Sequence, residues 1–361
     1  MIEQMAPWFG DEEKLAVLEY MDSGGWLTEF DKTRELEAMI ADYVGAEYCV
    51  MMPNATLALY AMLKCSGIGP GDRVIVPAFT MVATANAVAM TGAQVRFMDI
   101  ELETLCMDLY LLSQVVEDGV AAVLLVSLNG RSLDMAAVLA ICQERRILLF
   151  EDAAQALGSA WNSQHLGTFG KAGVFSFSVP KVITMGQGGC VVTNSETLTH
   201  RLRRFKDFGR DRAGANDDYL EFGINLKFTD LQAVIGIEQM KKLPYRVERK
   251  VDIYALYMEL LKDVPQVELI PTNLDDTSPW FVDILCQDRE GLQGFLLEAG
   301  ITTRPFYPAL PDSPAWRFHK NVHCPVARDV AARGLWLPSS SFLTDTEITF
   351  VCEQVRAFYG T

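Results

Sequence analysis

The sequence predicts an α/β protein with a mainly parallel sheet in a large domain, followed by a smaller α+β domain. Short apolar, β-branched runs alternate with helical patterns through the first two thirds of the 361 residues. Such alternation is typical of a parallel sheet covered by helices. After about Leu243 a long charged helix precedes strands and helices that no longer alternate. We therefore predict a large domain over residues 1–243 and a smaller domain over residues 244–361.

The predicted elements follow one another at short intervals. The expected strands of the large domain cover residues 48–52, 73–77, 94–98, 121–127, 147–151, 173–177 and 190–193. Helical patterns between them cover residues 57–64, 82–90 and 135–143. The smaller domain is expected to have strands near residues 267 and 280–286, and helices near residues 292 and 346–359. In open parallel sheets, ligands bind beyond the carboxyl ends of the strands, so the chemical residues should cluster there.

The composition excludes several classes of partner. With 47 acidic and 31 basic residues the formal charge is -16, and no run of lysine and arginine offers a surface for a nucleic acid backbone. No apolar run is long enough to cross a bilayer, and the first residues lack the pattern of a signal peptide. We predict a cytoplasmic protein that binds neither nucleic acid nor membrane.

Cysteine and histidine spacing does not predict a metal site. The eight cysteines are scattered through apolar segments, and none are paired two apart as in zinc or redox sites, so we expect reduced core residues. His319 and His323 are four residues apart, but no acidic or cysteine partner accompanies them. We expect these two histidines at the surface, and no metal.

Lys181 follows a predicted strand and precedes the glycine-rich turn at residues 186–189. A lysine in this place can form a covalent bond with an aldehyde, which indicates chemistry based on pyridoxal phosphate (PLP). The alternative for this segment alone is a surface lysine before a flexible turn.

Asp152 comes directly after the buried run that ends at Glu151. An ionised carboxylate there needs a cationic partner, because burial without one is costly. The protonated ring nitrogen of PLP is such a partner. The alternative is an aspartate that caps the N-terminus of a helix.

Donors for a phosphate group are predicted at the start of the helix after the first strand. Thr56 offers its hydroxyl and amide, Leu57 offers its amide, and Ser176 can add a second hydroxyl. Simple N-capping by Asn54 or Thr56 explains the same residues. A P-loop motif is absent from the sequence, and the glycines at residues 67–71 precede a strand where a dinucleotide fingerprint would follow one.

Several motifs together resemble the DegT/DnrJ/EryC1/StrS family of PLP-dependent nucleotide-sugar aminotransferases. They keep the order and spacing of that family over nearly the whole chain. The motifs lie at residues 54–59, 67–80, 84–88, 151–156, 175–177 with Lys181, 186–189 and 225–233. Within the family, residues 303–308 and 335–339 are most similar to the GDP-perosamine synthases.

The resemblance implies a PLP-dependent transferase of fold type I and a homodimer whose active sites are built from both subunits. It assigns Lys181 as the residue that binds the cofactor covalently and moves protons, and Asp152 as the partner of the ring nitrogen. Gln155 would hydrogen-bond the ring hydroxyl. Thr56, Leu57 and Ser176 would hold the phosphate.

Further positions follow from the same resemblance. Met81 stands where the family usually has an aromatic residue stacked on the cofactor ring, so a thioether contact would replace stacking. Asn225 and Lys227 would reach the site from the neighbouring subunit. Arg304 is a candidate for binding an anionic group of the amino donor or of the nucleotide, although an isolated surface arginine is an equal alternative.

The function implied is transfer of an amino group from glutamate to the ketone of a nucleotide-linked keto-6-deoxy sugar, similar to GDP-4-keto-6-deoxymannose, with a perosamine-type product. Two alternatives stay open at this point. Sugar dehydratases of the same fold remove a hydroxyl, but they carry histidine at the position of Lys181. A non-catalytic binding or regulatory homologue is the other alternative, because Met81 and Gln187 depart from the family pattern.

Overall fold

The computed structural model describes residues 1–114, 119–210, 218–319 and 321–361. Strands of the larger part are β1 (Tyr48–Met52), β2 (Arg73–Pro77), β3 (Gln94–Met98), β4 (Val120–Val126), β5 (Leu148–Asp152), β6 (Ala160–Trp161), β7 (Gln164–His165), β8 (Ala172–Ser176) and β9 (Gly189–Thr193). Each strand of the central sheet lies within about one residue of a predicted run, because these runs are rich in apolar and β-branched residues, most of which are buried.

Within the described residues the central sheet has seven strands in the order β1-β9-β8-β5-β4-β2-β3. The pairings from β8 through β5, β4 and β2 to β3 are parallel, whereas β9 runs antiparallel to both β1 and β8. The predicted α/β fold with a mainly parallel sheet is confirmed. Strands β6 and β7 form a separate short hairpin.

Helices cover the sheet as the alternating pattern predicts. They are α1 (Asp11–Asp22), α2 (Asp31–Val44), α3 (Ala55–Cys65), α4 (Ala83–Met90), α5 (Leu109–Ser113), α6 (Met135–Arg145), α7 (Glu196–Phe205) and α8 (Asp230–Leu261). Several begin at a polar N-cap whose side chain accepts a backbone N–H, as Ser195 does for α7. Among the helices of the described residues, none has an apolar stretch long enough to cross a membrane.

The C-terminal part is an α+β unit, as predicted. It contains β10 (Val267–Leu269), β11 (Val282–Cys286), α9 (Arg289–Glu298), β12 (Arg304–Pro305), α10 (Pro325–Arg333), β13 (Gly334–Leu337) and α11 (Asp345–Tyr359). The strands form an antiparallel sheet in the order β10-β11-β13-β12. A separate apolar cluster, with Tyr257, Leu292 and Val351 among its members, fills this unit.

The predicted domain boundary between residues 243 and 244 falls inside α8, which continues through Pro244 for 32 residues in all. The main apolar core also extends into the C-terminal unit, where it includes Trp280, Phe281 and Trp336. The two parts therefore share a helix and a packed interface, and the boundary stays a prediction. All eight cysteines are buried free thiols, as predicted.

Candidate active site

Polar residues that end or follow strands, among them the predicted Asp152 and Ser176, gather at the carboxyl edge of the central sheet. Asp152 is the last residue of β5, and Ser176 is the last residue of β8. Asn54 follows β1, and Thr80 follows β2. Because these strands run in the same direction, their ends bring the four side chains to one edge of the sheet.

Lys181 lies in the loop between β8 and β9, and hydrogen bonds hold the backbone of this loop in place. The Lys181 amide donates to the carbonyl of Ser178 at 3.0 Å, and the Phe177 amide donates to the carbonyl of Gly188 at 2.9 Å. Trp280 approaches from the C-terminal unit: its indole N–H donates to the carbonyl of Pro180, and Lys181 Nζ lies 3.7 Å from the centroid of its ring. The lysine is therefore positioned on two sides, by its own loop and by Trp280.

The surroundings of Lys181 favour the neutral amine. Burial lowers the pKa of Lys181 to about 7; the carboxylate of Asp152 opposes this shift, and the positive charge of Arg304 adds to it. An exposed lysine is almost fully protonated at neutral pH. Lys181 instead presents a substantial fraction of unprotonated, nucleophilic amine.

Asp152 is buried, with 5% of its surface exposed. Its Oδ2 accepts a hydrogen bond from the hydroxyl of Thr84 at 2.7 Å, and its Oδ1 accepts from the amide of Ala154 at 3.2 Å. Burial raises the pKa of this carboxyl group, whereas the two hydrogen bonds and the charge of Lys181 oppose the rise. The helix-cap alternative is not observed, because β5 leads into turns in place of a helix.

Lys181 and Asp152 influence each other electrostatically but do not form an ion pair. Each group shifts the pKa of the other. In the part of the chain that the structure describes, neither side chain has an oppositely charged group within ion-pair distance. A nucleophilic amine and a buried carboxylate without an ion-pair partner suit a flat ligand that presents an aldehyde to the amine and a basic ring nitrogen to the carboxylate.

The neighbouring carboxylate, Glu151, has a different role. Successive strand side chains point to opposite faces, so Glu151 turns away from Asp152. It is fully buried and accepts the amides of Gly167, Phe169 and Gly170 at 2.7, 2.7 and 2.8 Å. Burial raises the pKa of Glu151, while these three amides oppose the rise. Glu151 therefore anchors a loop.

Gln155 is oriented by the backbone. Its Oε1 accepts the amide of Asn129 at 2.9 Å, which leaves the Nε2 group as the donor for a ligand. Asn129 has a left-handed backbone, with φ 54°, and its side-chain amide pairs with both the N–H and the carbonyl of Phe281 at 2.6 and 2.8 Å. Asn129 thus joins Gln155 to the C-terminal unit. An amide donor in this place fits the predicted contact with the ring hydroxyl.

The predicted phosphate site is only partly as expected. Asn54 caps α3, and its Oδ1 accepts the Leu57 amide at 3.0 Å, so this amide is already satisfied and its phosphate role requires release of the cap. The amides of Ala55 and Thr56 precede the first intrahelical bonds and lack partners within the helix. Ser176 is buried, and its hydroxyl lies 3.3 Å from that of Ser178.

Gly189 allows the start of α3 and the end of β8 to come together. Gly189 pairs with Ser176 across the sheet, and a β-carbon on Gly189 would lie 2.4 Å from the amide nitrogen of Ala55. Any side chain at this position would push the start of α3 away from the end of β8. The last glycine of the turn predicted near Lys181 therefore permits the close backbone approach between the end of β8 and the start of α3, where the phosphate donors are predicted.

Arg304 is exposed and lies close enough to Lys181 to influence its pKa. Its guanidinium carbon is 5.5 Å from the ring centroids of both Tyr307 and Trp336, and its positive charge contributes to the lowered pKa of Lys181. No acidic partner of Arg304 is found among the described residues. An unpaired, exposed arginine suits an anionic ligand group.

Met81 is 44% exposed and precedes α4, where its sulfur accepts the Ala83 amide at 3.2 Å.

Two predicted residues lie apart from Lys181 within a single chain. Asn225 is exposed, and its side-chain oxygen accepts the Lys227 amide at 3.3 Å. Lys227 Nζ forms an ion pair with Asp207 at 3.0 Å and lies 5.1 Å from the ring centroid of Phe208. The structure does not bring these residues into the group around Asp152. Their contribution from a neighbouring subunit stays a prediction.

Sequence reasoning missed three residues that contact the site. Trp280 contacts Lys181, Asn129 orients Gln155, and Thr84 binds Asp152. Of these, only Thr84 lies within one of the motifs that resemble the family, at residues 84–88. Together with these supports, the buried carboxylate, the lysine amine, the Gln155 donor and the free helix amides fit PLP.

Comparisons with known proteins agree with this geometry. The model of the DegT/DnrJ/EryC1/StrS aminotransferase family matches residues 9–356. A GDP-perosamine synthase of Escherichia coli O157:H7 is 32% identical over 354 residues, covering 97% of this chain and 96% of that protein. A dTDP-4-dehydro-2,3,6-trideoxy-D-glucose 4-aminotransferase of Saccharopolyspora spinosa is 32% identical over 373 residues, covering 99% and 96%.

Solved structures agree as well. The aminotransferase TlmJ from Streptoalloteichus hindustanus has a TM-score of 0.93 and 29% identity to this chain, covering 100% of this chain and 99% of that one. The family match extends over more than half of the sequence, so it fixes the class of the protein together with its fold. The chain belongs to the DegT/DnrJ/EryC1/StrS aminotransferase family and is a PLP-dependent aminotransferase.

Proposed function

We propose that this protein transfers an amino group from glutamate to the ketone of a nucleotide-linked 4-keto-6-deoxy sugar, with GDP-4-keto-6-deoxymannose as the first candidate. The observation that carries the proposal is the unpaired arrangement of Lys181 and Asp152 at the carboxyl edge of the sheet. The sugar and the nucleotide rest on the similarity to the GDP-perosamine synthase and to the 4-aminotransferase named above.

The residues would divide the chemistry between them. PLP supplies, when bound, an aldehyde that accepts the amino group and a ring that delocalises negative charge. Asp152 would hold a proton on the ring nitrogen through its carboxylate. Lys181 Nζ, freed from its covalent bond, would carry a proton between the cofactor carbon and the sugar carbon, which its lowered pKa permits near pH 7.

The outer residues would orient the substrates. Arg304 is exposed and unpaired in the described chain, so it would bind the carboxylate of glutamate or the diphosphate of the nucleotide. Gln155 Nε2 would donate to the ring hydroxyl, while Ser176 and the start of α3 would hold the phosphate. Met81 would contact the ring face through its sulfur. The cytoplasmic location expected from the sequence stays a prediction.

We also infer a homodimer with shared active sites. Asn225 and Lys227 lie apart from Asp152 within one chain, and the same region exposes Tyr219, Leu220 and Phe222, which are 65%, 58% and 75% accessible. Exposed apolar residues in a group indicate an interface. Sedimentation at micromolar concentration should give twice the monomer mass of 40.2 kDa. A monomer that retains full activity would contradict shared sites.

The substrate proposal is tested by an assay of keto-sugar nucleotides with glutamate. With GDP-4-keto-6-deoxymannose as acceptor, we expect glutamate to be converted to 2-oxoglutarate and the sugar to give a product whose mass shows that an amino group has replaced the ketone oxygen. UDP- and dTDP-linked sugars, and sugars with a ketone at C3, form the comparison set. Aspartate and glutamine in place of glutamate test the donor.

The outcome of this assay separates the proposal from its rivals. Loss of water without gain of nitrogen would indicate a dehydratase. Turnover confined to a 3-keto or UDP-linked sugar would overturn the substrate but keep amino transfer. If protein loaded with PLP forms no 2-oxoglutarate from glutamate with any of the sugars, a binding or regulatory homologue would be favoured. Reactions without sugar measure the 2-oxoglutarate that forms when glutamate gives its amino group to the cofactor alone.

A further inference from the structure

Two buried threonines stand behind Asp152. Thr84 is fully buried and donates its hydroxyl hydrogen to Asp152 Oδ2 at 2.7 Å. Thr80 is 1% exposed, and its hydroxyl lies 3.2 Å from that of Thr84. Thr80 follows β2 and Thr84 lies in the first turn of α4, so the pair links two elements to the end of β5.

The number of hydroxyl hydrogens determines which residue donates and which accepts in the hydrogen bonds that link Thr80, Thr84 and Asp152. A hydroxyl has one hydrogen to donate, and an ionised carboxylate can only accept. When Thr84 donates to Asp152, its oxygen must accept from Thr80. Both oxygens of Asp152 accept a hydrogen bond, Oδ2 from Thr84 and Oδ1 from the Ala154 amide, so a proton on either oxygen would weaken or break one of the two bonds. The donors on its two oxygens, with Thr80 behind Thr84, therefore favour the ionised carboxylate over the protonated one.

We propose that Thr84, supported by Thr80, is a positioning residue that keeps the Asp152 carboxylate ionised and aimed at the ring nitrogen of the cofactor. The inference rests on the proposed role of Asp152. On this proposal, two linked hydroxyl groups, one after β2 and one in α4, stabilise the ionised form of a buried carboxyl group.

Other groups near Asp152 do not replace this contact. Lys181 acts on Asp152 through charge alone, and Arg304 acts on Lys181. Tyr307 also faces Asp152, but burial raises the pKa of its hydroxyl to about 12, so it stays neutral. Glu151 binds its own loop on the other face. The one other direct donor in the described chain is the Ala154 amide, on the second carboxylate oxygen.

The test uses three variants, T84V, T84S and T80V, with valine close to threonine in shape but lacking the hydroxyl. Two properties of the full chain are measured: the dissociation constant for PLP, and the pH dependence of the absorbance of bound cofactor. We expect T84V to weaken PLP binding roughly tenfold to hundredfold and to shift the absorbance midpoint, because a hydrogen bond to a charged group is lost. T84S should restore both properties, and T80V should show a smaller shift in the same direction.

Folding and the parent proposal are separated by controls. Thermal unfolding of each variant without cofactor reports on structure; should T84V fail to fold, T80V decides on the same two properties. D152N must change both properties if Asp152 faces the ring. Should D152N change neither, the proposed role of Asp152 fails. If D152N changes them while T84V and T80V match the wild type, or if T84S behaves as T84V, the inference about Thr84 alone is wrong.

Discussion

Replacement of Lys181 by alanine is expected to lower turnover by at least roughly a hundredfold to ten-thousandfold, because a positioned acid-base group contributes about that much. The covalent bond to the cofactor is lost in the same variant. PLP should still bind, since Asp152, Gln155 and the donors at the phosphate end are untouched. Release of 2-oxoglutarate measures the turnover, and the absorbance of dialysed protein measures retained cofactor.

The matched control is K262A. Lys262 lies just after α8, where it pairs with Glu259 at 2.6 Å on the surface. Surface pairs of this kind contribute little, so K262A should keep wild-type turnover and cofactor content. Retention of more than about a tenth of wild-type turnover by K181A would show that another group moves the proton.

Two consecutive carboxylates should respond in opposite ways to neutral replacements of the same shape. D152N is expected to reduce turnover by about a hundredfold or more, because it removes the charge opposite the ring nitrogen. E151Q is expected to leave turnover nearly unchanged but to lower the free energy of unfolding by about 1–3 kcal/mol. One glutamine nitrogen would then face a buried N–H of Gly167, Phe169 or Gly170, each of which now donates to Glu151.

Denaturant unfolding and steady-state kinetics on both variants check this division. D152N should change the free energy of unfolding by less than about 1 kcal/mol, since its loss of a charge also removes the cost of burying it. The assignment fails if E151Q loses activity while D152N retains it. Loss of activity in both, with equal loss of stability, would mean that the two carboxylates act as one structural unit.

The fold was largely predictable because its strands and helices are short and regular in pattern. Residues 73–77 are mainly apolar and β-branched, residues 94–97 alternate between polar and apolar side chains, and both runs are flanked by turns, so local sequence is sufficient to place them. The helix α8 was not predictable in the same way. Pro244 marks an apparent stop, yet packing against both parts of the protein carries the helix through it.

Site residues that lie at the ends of strands could be predicted from the sequence. Site residues that reach the centre through contacts between distant parts of the sequence could not. Asp152 and Ser176 follow from the rule for parallel sheets. Trp280, about a hundred positions after Lys181 in the sequence, reaches it only because the C-terminal unit packs on this edge. The hydrogen bond from Thr84 to Asp152 joins α4 to the end of β5. Such contacts depend on tertiary packing, which hydrophobic periodicity does not specify.

The assignment of Leu57 illustrates a limit of motif reasoning. Both a phosphate site and a helix cap require polar residues at the start of a helix, and the sequence 54–57 satisfies either. In the structure the Leu57 amide donates its hydrogen bond to the side chain of Asn54, which caps the helix. The local pattern could not separate these uses, because the same backbone N–H groups serve both.

The central claim is tested most directly by reduction of the PLP-loaded protein with borohydride, followed by mass analysis of its peptides. The account predicts one pyridoxyl group, on Lys181. Lys250 is a demanding competitor, because burial also lowers its pKa to about 7. Its Nζ, however, donates to the carbonyls of Trp280 and Ser339 and is held away from ligand. An adduct on Lys250, or none at Lys181, would contradict the account.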